Sequence, residues 1–554
     1  MRENIKKIVK SPEEVLENVK KYFTKDRKFV FLLSFILGII THFILLSNLI
    51  FSQDGLLNGI HYTAGNYEAS LGRWGINIFD SIRNNIAFPF ITTMISIIIL
   101  GFVNILLIDL FEIKGKIFQI LTIFALVVSP SLCMTLLYVY TADVYFYSLF
   151  FSVLTVYSMY KIKNKKIAFF IGMISFVLML ATYQSYMGVT VGLIVMLEIK
   201  NLLTDKSCLN TLIDLLKKLI ILAVYVVIYY IITLLILKIN NLTMSTYGGL
   251  NGIGIVSIFS SLNLSVKNAY LAFIKYFFAD GVILNRTWNR HNLYIYFFII
   301  YALIMLILFL KGIHKKGKKE FISKFIFACI LIFILPIALN LVVIAAPGNE
   351  IYYLTSTQMT LIFPFVFIIV QLLDENEIFA KILKWGITII TIIILMTYFL
   401  SIIVTYETTE LSYNQAKNIA ERVVLRMEDC PGYHAGMKNL FAGIIDDVNF
   451  PKTMDIYNYT VANSLRASLF HATYWGHEAT WRNFYNLFLG MNIEYCNDYE
   501  YFTIINSDEF KEMDIFPGKN SVKIINDIMV VKFTDNPENP PLSQTLLDYG
   551  IIIE

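Results

Sequence analysis

Runs of about twenty apolar residues recur along the first 405 positions, and they constrain this chain more than any motif does. A helix needs ~20 mostly apolar residues to cross the hydrocarbon core of a bilayer. Such runs lie near 29–50, 88–111, 117–138, 144–160, 167–183, 185–203, 218–238, 292–310, 322–346, 357–373 and 382–405. Eleven crossings are therefore expected, with the two termini on opposite sides. Composition agrees: 57% of the 554 residues are hydrophobic and 16% charged, where a soluble domain carries about 25% charged residues. The reading is a polytopic α-helical membrane protein, which excludes an ordinary soluble enzyme.

Charge orients the threading. The first 28 residues hold nine Lys and Arg, which places the N-terminus in the cytoplasm. They are too charged, and the following run too long, for a cleaved signal peptide. Lys114 and Lys116, Lys161 to Lys166, Lys200 to Lys218 and Lys311 to Lys319 all fall in loops expected inside, while the expected outer loops at 138–143, 184 and 347–356 have no Lys or Arg. The loop with Asp374, Glu375 and Glu377 is the weak point of the pattern. Residues 406–554 carry 11 basic and 21 acidic residues and are expected outside. Three parts result: a cytoplasmic segment 1–28, a transmembrane domain 29–405, and an extracytoplasmic α/β domain 406–554, in the plasma or inner membrane of a cell.

The tail has an amphipathic pattern over 411–429 (Leu411, Ile419, Val423, Met427) and alternation over 521–533 around Asn526-Asp527, which predicts a hairpin. Cys430 and Cys496 both lie in it, where a disulfide could persist; two free thiols are the alternative. Two outer regions exceed mere connectors. Residues 66–85 put Tyr67, Leu71, Trp74, Ile78 and Ile82 on one side of a helix and Arg73, Asn77, Asp80 and Asn84 on another, predicting a helix in the membrane interface. In 239–291, a Gly-rich turn precedes Val266, Tyr270, Phe273 and Phe277 at helical spacing, and Arg286, Trp288, Arg290 and His291 close the region.

No phosphate loop, dinucleotide fingerprint or H-E-x-x-H motif occurs, nothing points to nucleic acid, and no sizeable cytoplasmic domain is expected. Any reaction then uses a substrate reached from the outer face or the lipid. Asp54, Asp143, Tyr183, Gln184 and Glu350 collect at the outer ends of spans. Ionisable groups at such depth cost roughly 2.5–3.5 kcal/mol on insertion scales and usually face a cavity, where a carboxylate can act as a general base. Each also has a bland reading. An Asp at a helix exit caps it, Tyr183 and Gln184 can be hairpin residues, and Arg73, Arg286 and Arg290 can anchor to headgroups. Trp475, His477, Trp481 and Arg482 in the tail line a sugar surface or simply pack.

Asp54 in the first outer loop, the Gly72-Arg73-Trp74-Gly75 segment and Ala181-Thr182-Tyr183-Gln184-Ser185 together resemble the phage-type serotype-converting glucosyltransferase family, across residues 30–400. That resemblance implies a GT-C-class enzyme that moves a sugar, glucose in that family, from a polyprenyl-phosphate carrier to a cell-surface polysaccharide. It implies Asp54 as the catalytic residue; for such a reaction charge chemistry makes Arg73, Arg286 and Arg290 the candidates for the donor phosphate, Arg73 first, and Asp143, Tyr183, Gln184 and Glu350 candidates for the substrates. A second acidic residue is common in such enzymes, and Asp143 alone can serve here. A divalent metal is compatible with the pattern but not indicated, and no cofactor is required. The donor would depend on a separate donor-synthesising glycosyltransferase and a flippase. A lipid-linked glycan flippase, a polysaccharide polymerase or ligase, and a sensor are the competing classes.

Overall fold

The computed structural model describes residues 11–204, 206–245, 255–278, 293–316, 318–345, 353–374, 376–443 and 474–539. The chain is mainly helical. Among the described residues nine helices are long and apolar enough to cross a membrane: 89–111, 116–137, 142–161, 165–182, 184–204, 208–239, 293–310, 322–339 and 378–428. Two other expected crossings are irregular. The first divides at His42 into Lys25–Thr41 and Phe43–Ser47, and Thr357–Val370 is a shorter apolar helix whose residues are all buried in protein, so its ends need no lipid contact.

Local chemistry sets the boundaries. Pro89 and Pro130 stand in the first turns of their helices, where a missing N–H costs nothing. Asn164 and Ser207 cap the helices that follow them, supplying acceptors to orphan N–H groups. Helix 142–161 packs along 165–182 and 89–111, and helix 187–204 along 318–339. A Cβ on Gly188 would lie 2.1 Å from the Leu339 carbonyl oxygen, so only glycine allows those backbones to approach so closely.

Helix Ile378–Glu428 runs 51 residues without a break, straight through position 405. At 1.5 Å per residue it is about 75 Å long, far beyond the ~30 Å hydrocarbon core. Its distal part buries Tyr413, Ala416, Ile419, Val423 and Met427, whereas Leu411 is exposed. A four-stranded sheet follows: β1 (Lys438–Ala442), β2 (Glu494–Tyr495), β3 (Val522–Ile525) and β4 (Ile528–Lys532), in the order β2-β1-β4-β3. β1 is parallel to β2 and β4, and β3 and β4 form the expected antiparallel hairpin. Asn526 and Asp527 both have positive φ, as a tight two-residue turn demands.

One open alternative is resolved and one expectation is corrected. Cys430 and Cys496 are thiols, not a disulfide. Cys496 is buried with Leu440, Ile504 and Val530, while Cys430 packs against a separate apolar cluster containing Met427 and Phe441. Residues 66–85 are not one interfacial helix but two short ones, Asn66–Ser70 and Ile76–Ile82. Polar and apolar groups both divide between the two sides: Asn77 and Asn84 are exposed, and Leu71, Ile76 and Phe79 are buried. Asp80 and Arg83 turn into the protein, while Tyr67, Ile78 and Ile82 are exposed.

Candidate active site

The short helix Gln53–Asn58 carries Asp54 in its first turn. Ser52 starts it: its hydroxyl accepts from the Gly55 N–H at 3.0 Å, and its own N–H donates to the Leu137 carbonyl at 2.9 Å. The helix is thus seated on the end of helix 130–137. Asp54 is half-buried, and among the described residues no hydrogen bond or ion pair engages its carboxylate. Tyr140 stands nearby. Burial first, and then Tyr145 and the Asp54 charge, push the Tyr140 hydroxyl well above its ordinary range, so it stays protonated.

The other described acidic groups of this region are all engaged. Arg83 donates to Asp80 Oδ1 at 2.6 Å and its Nε lies 3.2 Å from Asp143 Oδ2. These three side chains are 0–1% exposed. The guanidinium also donates to the carbonyls of Tyr140 and Ile86. Asp80 Oδ2 accepts from the Ala64 N–H at 3.0 Å. Burial pushes the Asp80 carboxyl up to about 7 against the opposing pull of Arg83. Glu68 accepts from the Tyr62 hydroxyl at 2.8 Å and the Gly65 N–H at 2.7 Å. Asp143, expected at an open cavity, is instead buried with its carboxylate against Arg83.

Gly72-Arg73-Trp74-Gly75 is the turn between the two short helices, and it interlocks with residues 181–184. Gly72 has φ +76°, and a Cβ there would meet the Tyr229 hydroxyl at 2.3 Å. Tyr229 donates to the Gly72 carbonyl at 2.9 Å. Trp74 Nε1 donates to Thr233 Oγ1 at 3.0 Å, and the Gly75 N–H to the Ala181 carbonyl at 2.8 Å. Gln184 donates to the Leu71 carbonyl at 2.9 Å and accepts from Arg73 Nε at 3.1 Å. The Arg73 guanidinium lies 5.5 Å from the Tyr183 ring centre, and Tyr183 stacks on Tyr145 at 4.1 Å. The stacked, buried pair Tyr145 and Tyr183 thus lies beside Arg73, and Tyr140 packs on Tyr62 and Tyr138. The guanidinium, held by Gln184 and the Tyr183 ring, is the basic group of this region that an anion could meet.

Asp54, Arg73, Asp143, Tyr183 and Gln184 therefore belong to one region. Arg286, Arg290 and Glu350 lie outside the described residues, as do the side chains of Trp475 and His477. Trp481 is buried in packing. Sequence reasoning missed Arg83, whose spacing of three from Asp80 on a membrane-facing stretch was the available signal. It also missed Tyr229, Thr233, Tyr413 and Asn483. Among the described residues no group of three His, Cys, Asp or Glu side chains is arranged to hold a metal.

A family model described as glucosyl transferase GtrII matches residues 43–363, more than half of the chain. No curated protein and no solved structure gives a significant match. The matched stretch contains Asp54, Arg73, Arg83, Asp143, Tyr183 and Gln184.

Proposed function

Because the chain belongs to the glucosyl transferase GtrII family and is therefore a membrane glucosyltransferase, we propose that it takes glucose from a polyprenyl-phosphate carrier and passes it to a cell-surface polysaccharide on the outer face. The threading that goes with this has eleven crossings, a cytoplasmic N-terminus and the domain 406–554 outside. One observation carries the assignment of roles: among the described acidic residues around the loop, Asp80 and Asp143 share Arg83 and Glu68 is held by Tyr62 and Gly65, while Asp54 alone has a half-buried carboxylate without a partner.

The chemistry follows from what each group offers. The donor sugar is already activated by its phosphate, so no nucleotide is needed. Asp54 takes the proton of the acceptor hydroxyl as that oxygen bonds to the anomeric carbon. The bond from that carbon to the phosphate oxygen breaks, and attack from the opposite side inverts the centre. Negative charge grows on the departing phosphate, and Arg73 stabilises it, with Arg286 and Arg290 as further cations. Tyr183 and Gln184 set the plane of Arg73, and Glu350 is a candidate acceptor contact. Asp143 faces Arg83 and acts on the loop only through that guanidinium, which carries most of the attachment. A donor-synthesising glycosyltransferase and a flippase supply the carrier lipid.

Asp54→Asn tests this. A positioned base contributes roughly 10²–10⁴-fold, so transfer from polyprenyl-phosphate glucose to the surface polysaccharide should fall at least ~100-fold with donor KM nearly unchanged. Retention of a tenth or more of the rate would overturn Asp54 as the base.

A further inference from the structure

The helix that carries Asp54 has only six residues, too few to hold its own place. A helix leaves its last four carbonyls without intrahelical donors, and in so short a helix most of the backbone is terminal. Two of those carbonyls are met from far along the chain: Asn483 Nδ2 donates to Leu57 O at 3.0 Å and to Leu56 O at 2.8 Å, which also accepts from the Gly59 N–H at 3.2 Å. Both acceptors are carbonyls, so the side chain must present its nitrogen to them. At the other end the Tyr413 hydroxyl donates to the Phe51 carbonyl at 3.2 Å, buried. The two tethers form one block, for Tyr413 packs on Phe484 and Phe488 at 5.9 and 5.3 Å between ring centres. Trp481 and Tyr485 back them. Neither Tyr413 nor Asn483 lies within the family match at 43–363.

We propose that the C-terminal region is a positioning element for catalysis: Asn483, seconded by Tyr413, fixes the Asp54 helix against the Leu137 carbonyl so that the base meets the acceptor hydroxyl at bonding distance. The proposal rests on Asp54 being the base. Asn483 touches neither substrate. It acts through the helix, and an error of about 1 Å in the position of a catalytic group costs on the order of 10²-fold.

The test uses the full-length protein purified in detergent, radiolabelled polyprenyl-phosphate glucose as donor and the isolated surface polysaccharide of the source cell as acceptor. Asn483→Ala should lower kcat ~100-fold and leave donor KM within about threefold. Asn483→Asp has the same shape but offers oxygens to two carbonyls, so it should be at least as damaging. In the Asp54→Asn background Asn483→Ala should cause no further loss, because its effect runs through the base. Wild-type kcat in Asn483→Asp would overturn the proposal, since packing alone would then suffice. So would an Asn483→Ala loss that multiplies in full with that of Asp54→Asn. If neither Asn483 variant folds, Tyr413→Phe, which deletes one oxygen, decides: a several-fold lower kcat supports the proposal and an unchanged kcat overturns it. Full activity of Asp54→Asn, by contrast, would remove the base assignment itself and the proposal with it.

Discussion

Replacing Arg83 by Met should detach the loop that carries the Gly-Arg-Trp-Gly turn, and replacing Asp143 by Asn should not. Among the described residues, Arg83 alone faces two buried carboxylates, at 2.6 and 3.2 Å. It also serves the carbonyls of Tyr140 and Ile86. Removing one partner of a buried pair costs about 3–5 kcal/mol because a charge is left without compensation. Protonation limits the cost of a second stranded carboxylate: Asp80 is already pushed up to about 7 by burial even with Arg83 beside it. The working figure is therefore about 4 kcal/mol, not the sum over four acceptors. Asp143→Asn leaves one carboxylate facing one guanidinium, a better charge balance than the wild type, and should cost below ~1 kcal/mol. Hydrogen exchange of residues 60–87, followed by mass spectrometry in detergent, reads the opening of the loop. At 1.4 kcal/mol per tenfold, Arg83→Met should speed it by up to about three decades and Asp143→Asn by less than tenfold. Arg83→Lys should fall between them, since one ammonium keeps the charge but cannot span the acceptors. Equal effects of Arg83→Met and Asp143→Asn would refute the reasoning, as would an Arg83→Met effect smaller than tenfold.

Two further outcomes follow from the same geometry. Asp80 has its folded-state pKa raised to about 7 by burial, with Arg83 opposing, so the folded state retains a proton that the unfolded chain gives up near pH 4. Its stabilising contribution is present at acid pH and lost as pH rises through about 7. It amounts to no more than ~4 kcal/mol. Loop exchange, corrected for its intrinsic pH dependence, should therefore speed up between pH 5 and 8 in the wild type, and Asp80→Asn should abolish most of that slope. Gln184→Ala removes the acceptor of Arg73 Nε and the donor to the Leu71 carbonyl. Donor KM should rise ~10-fold with a smaller change in kcat; a kcat loss at constant KM would separate Arg73 from phosphate binding.

The parts legible in the sequence are those where one physical demand dominates. Lipid requires long apolar helices, so most of the runs read from hydropathy reappear as helices, and Asn526-Asp527 specifies its turn by tolerance of positive φ. The loop at 66–85 was misread because its period of 3–4 survives a break in the helix. Gly72 and Gly75 mark that break, but periodicity does not weigh two glycines against five well-spaced apolar residues. Of the polar stripe, Arg73 and Asp80 take Gln184 and Arg83 as partners, while Asn77 and Asn84 stay exposed and Tyr67, Ile78 and Ile82 turn outward, as an apolar face that meets lipid does. Of the site, Asp54 and the two motifs were visible because each is a local anomaly in an apolar chain. That Gly75 bonds Ala181, or that Asn483 bonds Leu56, is a property of the packing, and Asn483 in a tail helix looks like any solvated amide.

The contacts also sort the helix ends into two faces, independently of the distribution of lysines. Ser52 meets Leu137, Gly75 meets Ala181, Trp74 meets Thr233, Tyr183 meets Leu354, and Phe51 meets Tyr413. These pairs place residues 51–87, 137–142, 181–186, 233–245, 354–357 and 413 on one face. On the other, Arg27 pairs with Asp109 at 2.6 Å, Lys161 and Lys200 with Glu112 at 2.7 and 2.8 Å, and Lys206 and Lys218 with Glu198 at 3.1 and 2.7 Å. The Lys114 N–H reaches Gln371 there as well. Residue 27 thus belongs to one face and residue 51 to the other, and the same holds for 354 and 371, so the divided helix 25–47 and the short helix Thr357–Val370 each connect the faces. The N-terminal helix then lies opposite Asp54, while the long helix Ile378–Glu428 emerges beside it and carries the β-sheet with it. A tail anchored on the face of the proposed base, by Asn483 and Tyr413, is in reach of that base whichever way the membrane is crossed.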